Sequence, residues 1–363
     1  MVKIDIEKLI KPHLMDIKTY EPVDPPELLA EKAGIPKKDI LKLNGNENPY
    51  GGSPKVAPAL YNLEVHIYPD PLQRQIRKAL SQYAGIGMEY IIAGAGSDEL
   101  IDLLFRLFIS EGDEILDCDP TFAMYAFCAR VAGGSIRLIP RDELFDIDIQ
   151  AVKSAITDKS KIIFVSSPNN PTGNLAAKSQ ILEMLDTGLI VVVDEAYYEF
   201  CNQTFANLVL EHENLVILRT MSKWAGLAGL RIGYGLMNPK LVDHIMDIKS
   251  PYNVNAAAEA ATIASLKDAD ELNRKAKLII DERDRMMDLI RHIPSIIPWP
   301  SQGNFILCQF DSPGQTIKVH DGLAAKGIFV RKFSSERLKD CFRVAIGTPE
   351  QTNIFIRALK DLA

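Results

Sequence analysis

Lys223 stands where an amine could become a nucleophile. It follows the apolar run Leu215-Val216-Ile217-Leu218 and precedes the small-residue stretch Ala225-Gly226-Leu227-Ala228-Gly229. An amine withdrawn from water near other cations holds its proton less firmly and attacks carbonyls. A lone lysine is ordinarily a solvated surface group. Here Thr220, Ser222 and Arg231 flank it, two hydroxyls and a guanidinium that could surround a phosphate.

Three other segments carry comparable chemistry. Asp194 closes the run Leu189-Ile190-Val191-Val192-Val193, so it is expected at the end of a buried strand. A carboxylate there needs a cationic partner or several hydrogen bonds. A protonated pyridine nitrogen is one such partner, and capping of the next helix is the simpler role. Tyr197, three residues on, could donate to a phenolate oxygen. In Ser167-Pro168-Asn169-Asn170-Pro171-Thr172-Gly173, two prolines and a glycine fix a rigid turn. Asn170 could present its amide N–H from it, or bond only to its own turn. Gly94-Ala95-Gly96-Ser97-Asp98-Glu99 puts small residues before a helix whose free N–H groups and positive dipole end suit a phosphate. Read alone, it is better taken as a plain turn with Ser97 or Asp98 as N-cap.

These segments must be positioned by strands and helices. Apolar runs at 91–93, 114–116, 161–165, 189–193, 215–218 and 232–235 predict buried strands. Amphipathic stretches predict helices over 98–109 and 122–131. Strands alternating with helices imply an α/β fold with a mostly parallel sheet covered on both faces. Ligand sites in such sheets gather at the carboxyl ends of strands. A long charged helix over 268–292 connects to strands at 305–307, 328–330 and 342–344 and helices over 314–326 and 349–362, an α+β unit. Residues 284–288 within the connector are expected to be solvated. The first forty residues hold an amphipathic segment, Ile4 to Leu14, then a proline-rich stretch that is more arm than core.

Composition narrows the partners. The 363 residues carry a formal net charge of -7, with both signs mixed along the chain. Nucleic acid and anionic membranes select basic surfaces, so neither is expected as the main partner. No stretch approaches the ~20 apolar residues of a membrane span. The start, Met1 to Glu7, has acids where a signal peptide needs an apolar run. The five cysteines show no C-x-x-C pair, which suggests neither a metal site nor a disulfide framework and fits a reducing, cytoplasmic setting.

Taken in order, the four segments resemble the fold type I pyridoxal-phosphate enzymes of the class I and II aminotransferase superfamily. The stretch Ser222-Lys223 through Gly226-Leu227-Ala228-Gly229-Leu230-Arg231-Ile232-Gly233-Tyr234 carries most of the likeness. The resemblance implies a large domain with a mostly parallel seven-stranded sheet and a smaller α+β domain. The expected division is 1–45 as arm and part of the small domain, 46–270 as the large cofactor-binding domain, and 271–363 as the small domain. It implies pyridoxal 5′-phosphate held by Lys223 as a Schiff base, with Lys223 also moving the proton. Asp194 resembles the partner of the ring nitrogen, Tyr197 and Asn170 the donors to its O3′. Gly96, Ser97, Asp98, Thr220, Ser222 and Arg231 resemble the phosphate cup. Phe122 resembles the aromatic that stacks on the ring, where many relatives have Tyr.

Further segments narrow the resemblance to the histidinol-phosphate aminotransferases. They are Leu43-Asn44-Gly45-Asn46-Glu47-Asn48-Pro49-Tyr50-Gly51, Tyr68-Pro69-Asp70, Gly303-Asn304-Phe305, Gly327 to Arg331, and Cys341 to Thr348. That family implies histidinol phosphate and glutamate or 2-oxoglutarate as substrates. It implies a homodimer in which the partner subunit's Tyr68 reaches the cofactor phosphate. Arg343 resembles the arginine that binds the substrate anion, Arg331 a second one favouring the phosphate-bearing substrate. Asn48 is expected at the substrate, and Tyr20 of the arm at the closing edge of the site. The stretch from Val23 to Ile40 is longer than the family's usual arm, and 332–340 says nothing about substrate. The scaffold also serves aromatic or broad-specificity aminotransferases and threonine-phosphate decarboxylase. A non-catalytic regulator of this fold would have no use for Lys223 and Asp194.

Overall fold

In the computed structural model, residues 4–17, 19–61 and 63–363 are described; Met1 to Lys3, the opening of the acidic start, lie outside them. Among the described residues thirteen strands form, in chain order: β1 (Leu41–Lys42), β2 (Ile91–Gly94), β3 (Glu114–Asp119), β4 (Ser135–Pro140), β5 (Ser160–Ser166), β6 (Ile190–Asp194), β7 (Leu215–Thr220), β8 (Gly233–Met237), β9 (Ile296–Pro298), β10 (Phe305–Phe310), β11 (Ile328–Phe329), β12 (Arg331–Lys332) and β13 (Cys341–Ala345).

Seven of them make one sheet in the order β2-β8-β7-β6-β5-β3-β4. Strands β7, β6, β5, β3 and β4 run parallel, and only β8 runs antiparallel to its neighbours. This is the α/β arrangement with a mostly parallel seven-stranded sheet that the sequence predicts. Val191 and Val193 face one apolar core, and Val192 faces a second on the opposite side of the sheet. Burial on both faces explains why these strands read as continuous apolar runs rather than alternating ones. The seventh strand, β4, has no such run. It is an edge strand whose side chains are mostly exposed, so in Ser135 to Pro140 the charged Arg137 interrupts Ile136, Leu138 and Ile139 and no continuous apolar run shows.

Strands β12-β13-β10-β9 form a four-stranded antiparallel sheet, and β1 pairs in parallel with β11. A helix over Ala269–Arg291 leads from the large sheet to this region. Its 284–288 stretch is not solvated as expected: Met286 and Met287 are buried in the core while Asp284 is exposed. The helix turns one apolar face inward, and both methionines lie on it.

The arm also differs from expectation. Ile4 to Leu14 forms two short 3-10 turns, with Ile4, Ile6 and Leu9 exposed. The proline-rich stretch contains an α-helix, Pro26–Ala33, that buries Leu29. Proline is compatible with the first helical turn, where its missing N–H is no loss, and Gly34 ends the helix in the left-handed conformation. The helix expected from Phe122 begins at Met124, leaving Phe122 in the preceding turn. Among the described residues, no helix is long and apolar enough to cross a membrane.

Candidate active site

The ends of β2, β5, β6 and β7 and the start of β8 share one rim of the large sheet. Gly94 lies beside Gly233, Gly233 beside Thr220, and Asp194 beside both Ser166 and Leu218. Above this rim lies a cavity of about 640 Å³. Its wall contains Tyr20, Ser97, Asp98, Phe122, Asn170, Asp194, Tyr197, Thr220, Ser222, Lys223, Arg231, Arg331 and Arg343. Residues spread over more than three hundred positions of the chain are thus brought to one space.

Lys223 extends its amine into this space and donates to the Gly45 carbonyl at 2.9 Å. Burial, then the nearby Arg343 guanidinium, lower its pKa to about 8. Near neutral pH a useful fraction of the amine is therefore unprotonated and nucleophilic. Asp194 is buried at the floor. Its Oδ2 accepts from the Tyr125 hydroxyl at 2.7 Å and its Oδ1 from the Ala196 N–H at 3.0 Å. Burial outweighs these bonds and raises its pKa to about 6. A cationic partner would draw it back down and keep it ionised.

The Tyr197 hydroxyl accepts from the side-chain amides of both Asn46, at 3.1 Å, and Asn170, at 3.3 Å. Arg343 donates to Asn170 Oδ1 and to the Asn44 carbonyl, at 2.5 and 2.8 Å. That contact fixes which way the Asn170 amide points, since a guanidinium can donate only to its oxygen. Arg343 is buried, and its Nε has no hydrogen-bond partner among the described residues. At the cavity's outer edge, Arg331 donates to the Glu21 carbonyl of the arm at 2.8 Å. Tyr20 meets the edge of Phe122 at 6.3 Å.

The opposite end of the cavity is a bare helix N-terminus. Helix Ser97–Phe108 has Gly96 at its N-cap with φ +83°, and no side chain caps it. A Cβ on Gly96 would lie 2.6 Å from Arg231 Nη2, and one on Gly233 would lie 2.3 Å from the Ser97 nitrogen. Gly233 is required for this close approach of backbone, and Gly96 for its positive φ. Arg231 itself has φ +51°, a left-handed conformation uncommon outside glycine. Its guanidinium pairs with Asp98 at 2.8 Å.

Two expected site residues lie elsewhere. Asn48 is outside the cavity wall: its Nδ2 donates to the Trp224 carbonyl at 2.9 Å, and its Oδ1 accepts from Tyr50 N. It pins the backbone beside Lys223 instead of facing a ligand. Tyr68 is 77% exposed and stacks on Tyr252 at 4.4 Å. It lines a different, wider groove of about 1130 Å³ on the outer surface. The larger groove is not the candidate site, because the perturbed amine and carboxylate converge in the smaller one. Sequence reading missed Asn46 and Tyr125. Asn46 sits in the Asn44-Gly45-Asn46 segment quoted above, and Tyr125 one helical turn beyond Phe122.

Residues 38–359 match the family of class I and class II aminotransferases. The chain belongs to that family. Within it, the chain falls among the histidinol-phosphate aminotransferases. It is 44% identical to the histidinol-phosphate aminotransferase of Roseiflexus castenholzii, over 99% of each chain. It is 42% identical to the chloroplastic enzyme of Nicotiana tabacum, over 98% of this chain and 86% of the other. Its fold superposes on the histidinol-phosphate aminotransferase of Sinorhizobium meliloti, solved in complex with pyridoxal-5′-phosphate, with TM-score 0.89 over 97% of both chains at 23% identity.

The aminotransferase cavity suits a phosphorylated pyridine aldehyde at three points. The glycine-lined helix N-terminus with Arg231, Thr220 and Ser222 offers N–H groups, hydroxyls and a cation to a phosphate. Asp194 offers a buried anion, and Lys223 an amine of lowered basicity.

Proposed function

We propose that this chain transfers an amino group between L-histidinol phosphate and 2-oxoglutarate, giving imidazole acetol phosphate and glutamate, in histidine biosynthesis. The full-length similarity to the Roseiflexus castenholzii enzyme carries this reading. Arg331 and Arg343, on the wall of a cavity that also holds a buried amine, support it. One substrate carries a phosphate and the other carboxylates, and guanidinium forks suit both anions.

Pyridoxal 5′-phosphate is the cofactor; bound, it supplies a carbonyl for amine exchange and a ring that accepts electrons as the substrate loses a proton. Lys223 would hold the cofactor through its amine, and that amine, when free, would carry a proton at the substrate carbon bearing nitrogen. Asp194 pairs with the ring nitrogen, while Tyr197 and Asn170 donate to the ring oxygen. Phe122 covers the ring face. Gly96, Ser97, Asp98, Thr220, Ser222 and Arg231 hold the phosphate. Arg343 takes the substrate anion, Arg331 favours the phosphate-bearing substrate, and Tyr20 closes the outer edge. The arm and residues up to 45 go with the 271–363 unit, and 46–270 form the cofactor-binding unit; the pairing of β1 with β11 supports this division.

The enzyme works as a cytoplasmic homodimer in which the partner subunit's Tyr68 reaches the cofactor phosphate. The exposed Val65, Ile67, Tyr68 and Tyr252 about the outer groove support that assembly. Sedimentation should give twice the 40.4 kDa chain mass, and a monomer would reject it.

The deciding experiment offers the loaded enzyme histidinol phosphate, phenylalanine and threonine phosphate separately. Loss of the cofactor's visible absorption is followed in each case. Fast loss with histidinol phosphate alone is expected. Comparable rates with phenylalanine or threonine phosphate would sink the substrate assignment.

A further inference from the structure

None of the roles above uses Tyr125. Its ring is fully buried in helix Met124–Ala132, yet its hydroxyl reaches the floor of the cavity and donates to Asp194 Oδ2 at 2.7 Å. The ring is held on both sides. It stacks on Phe164 at 4.6 Å and meets the edge of Phe122 at 5.6 Å, and Phe105 extends the stack behind Phe164 at 5.5 Å. One side chain therefore touches both the aromatic assigned to the ring face and the carboxylate assigned to the ring nitrogen.

From this geometry we infer that Tyr125 is a positioning residue, which holds Asp194 ionised and aimed so that the site prefers a cofactor ring containing nitrogen. The inference rests on the reading that Asp194 meets the ring nitrogen. A buried phenol needs some acceptor in any case. Here it takes the buried carboxylate of the cavity wall, and it does so from a packed column that leaves its hydroxyl little freedom. Burial works against the ionisation of Asp194, as do two nearby acids, Asp98 and Glu195. Tyr125 and the Ala196 N–H are the donors that favour the anion. Without the phenol, Asp194 would shift toward its neutral form, which cannot pair as an anion with a ring N–H.

The test measures binding, not turnover. The protein freed of cofactor is titrated with pyridoxal phosphate and with its 1-deaza analogue, in which carbon replaces the ring nitrogen. The unaltered chain should hold pyridoxal phosphate more tightly. Tyr125→Phe should reduce that preference about tenfold, the effect of one charge-assisted hydrogen bond. It should do so by weakening pyridoxal phosphate and sparing the analogue. Equal loss for both ligands would mean a purely structural role and overturn the inference, as would an undiminished preference. If the unaltered chain shows no preference, the Asp194 assignment itself fails, which is a separate result. Should Tyr125→Phe not fold, 3-fluorotyrosine placed at position 125 keeps the shape and gives a stronger donor. The preference should then rise about twofold, on the same hydrogen-bond reasoning. No rise would count against the role of Tyr125.

Discussion

Around Lys223 and Asp194 the cavity wall is made of strand ends, whereas around Arg331 it is made of an arm and a two-residue strand. Strands β6 and β7 are buried along almost their whole length, and the side chains they present are bonded on more than one side. Arg331 sits on β12, and a single contact to the Glu21 carbonyl ties it to the arm. Tyr20, Pro22 and Val23 line the cavity from a segment with neither helix nor strand. Groups that make and break bonds need placement within a fraction of an ångström, and rigid elements provide it. Groups that select a ligand must let it enter, which loosely held segments allow. Under the proposed function, the floor serves chemistry shared by many substrates and the roof the choice among them.

Perturbing the floor should stop the reaction altogether. Lys223→Ala is expected to abolish amino transfer with every substrate, measured as product formed per enzyme; turnover with any of them would break the contrast. Asp194→Ala should cost about 3–4 kcal/mol in kcat/KM, the scale for losing a preorganised charge partner in a dry site. Near-normal kinetics would remove Asp194 from the floor. The roof should respond selectively. Arg331→Ala is expected to cost about 2 kcal/mol in kcat/KM for histidinol phosphate, as for one charged hydrogen-bond partner, and less for glutamate. Equal losses for both would erase the division between floor and roof.

The smallest effect concerns acidity. Because the Lys223 pKa is lowered to about 8, its neutral form grows as pH rises through that value. Covalent uptake of pyridoxal phosphate by the cofactor-free protein should therefore speed up with pH and level off above about 8. Arg343→Met removes a cation that disfavours the ammonium, so the midpoint should move upward. In the unaltered chain, a rate still rising well above about 8, toward the ~10.4 of a solvated lysine, would contradict the burial of this amine.

Much of this was readable in the chain because burial leaves a pattern. Six strands of the large sheet show as apolar runs, and Lys223, Asp194, Tyr197, Asn170 and Arg231 follow or flank such runs at turns. Edge strand β4 escaped because exposed side chains carry no such mark. The Asn44-Gly45-Asn46-Glu47-Asn48 segment named the right neighbourhood and the wrong amide. The choice between Asn46 and Asn48 depends on a φ of +52° at Asn46, which no local spacing reveals. Tyr125 was hidden for another reason: it sits on a helix and its partner lies 69 residues away, at the end of β6. The burial of Met286 and Met287 was likewise masked by the charges around them.

The double donation into Tyr197 has an effect beyond holding the ring in place. A phenol oxygen has two lone pairs and one hydrogen, and two amides already occupy the lone-pair side. The remaining hydrogen must point away from them, toward the open space. An oxygen arriving there meets a donor that is already turned its way, so the orientation that a solvent molecule would have to find by tumbling is written into the folded chain beforehand.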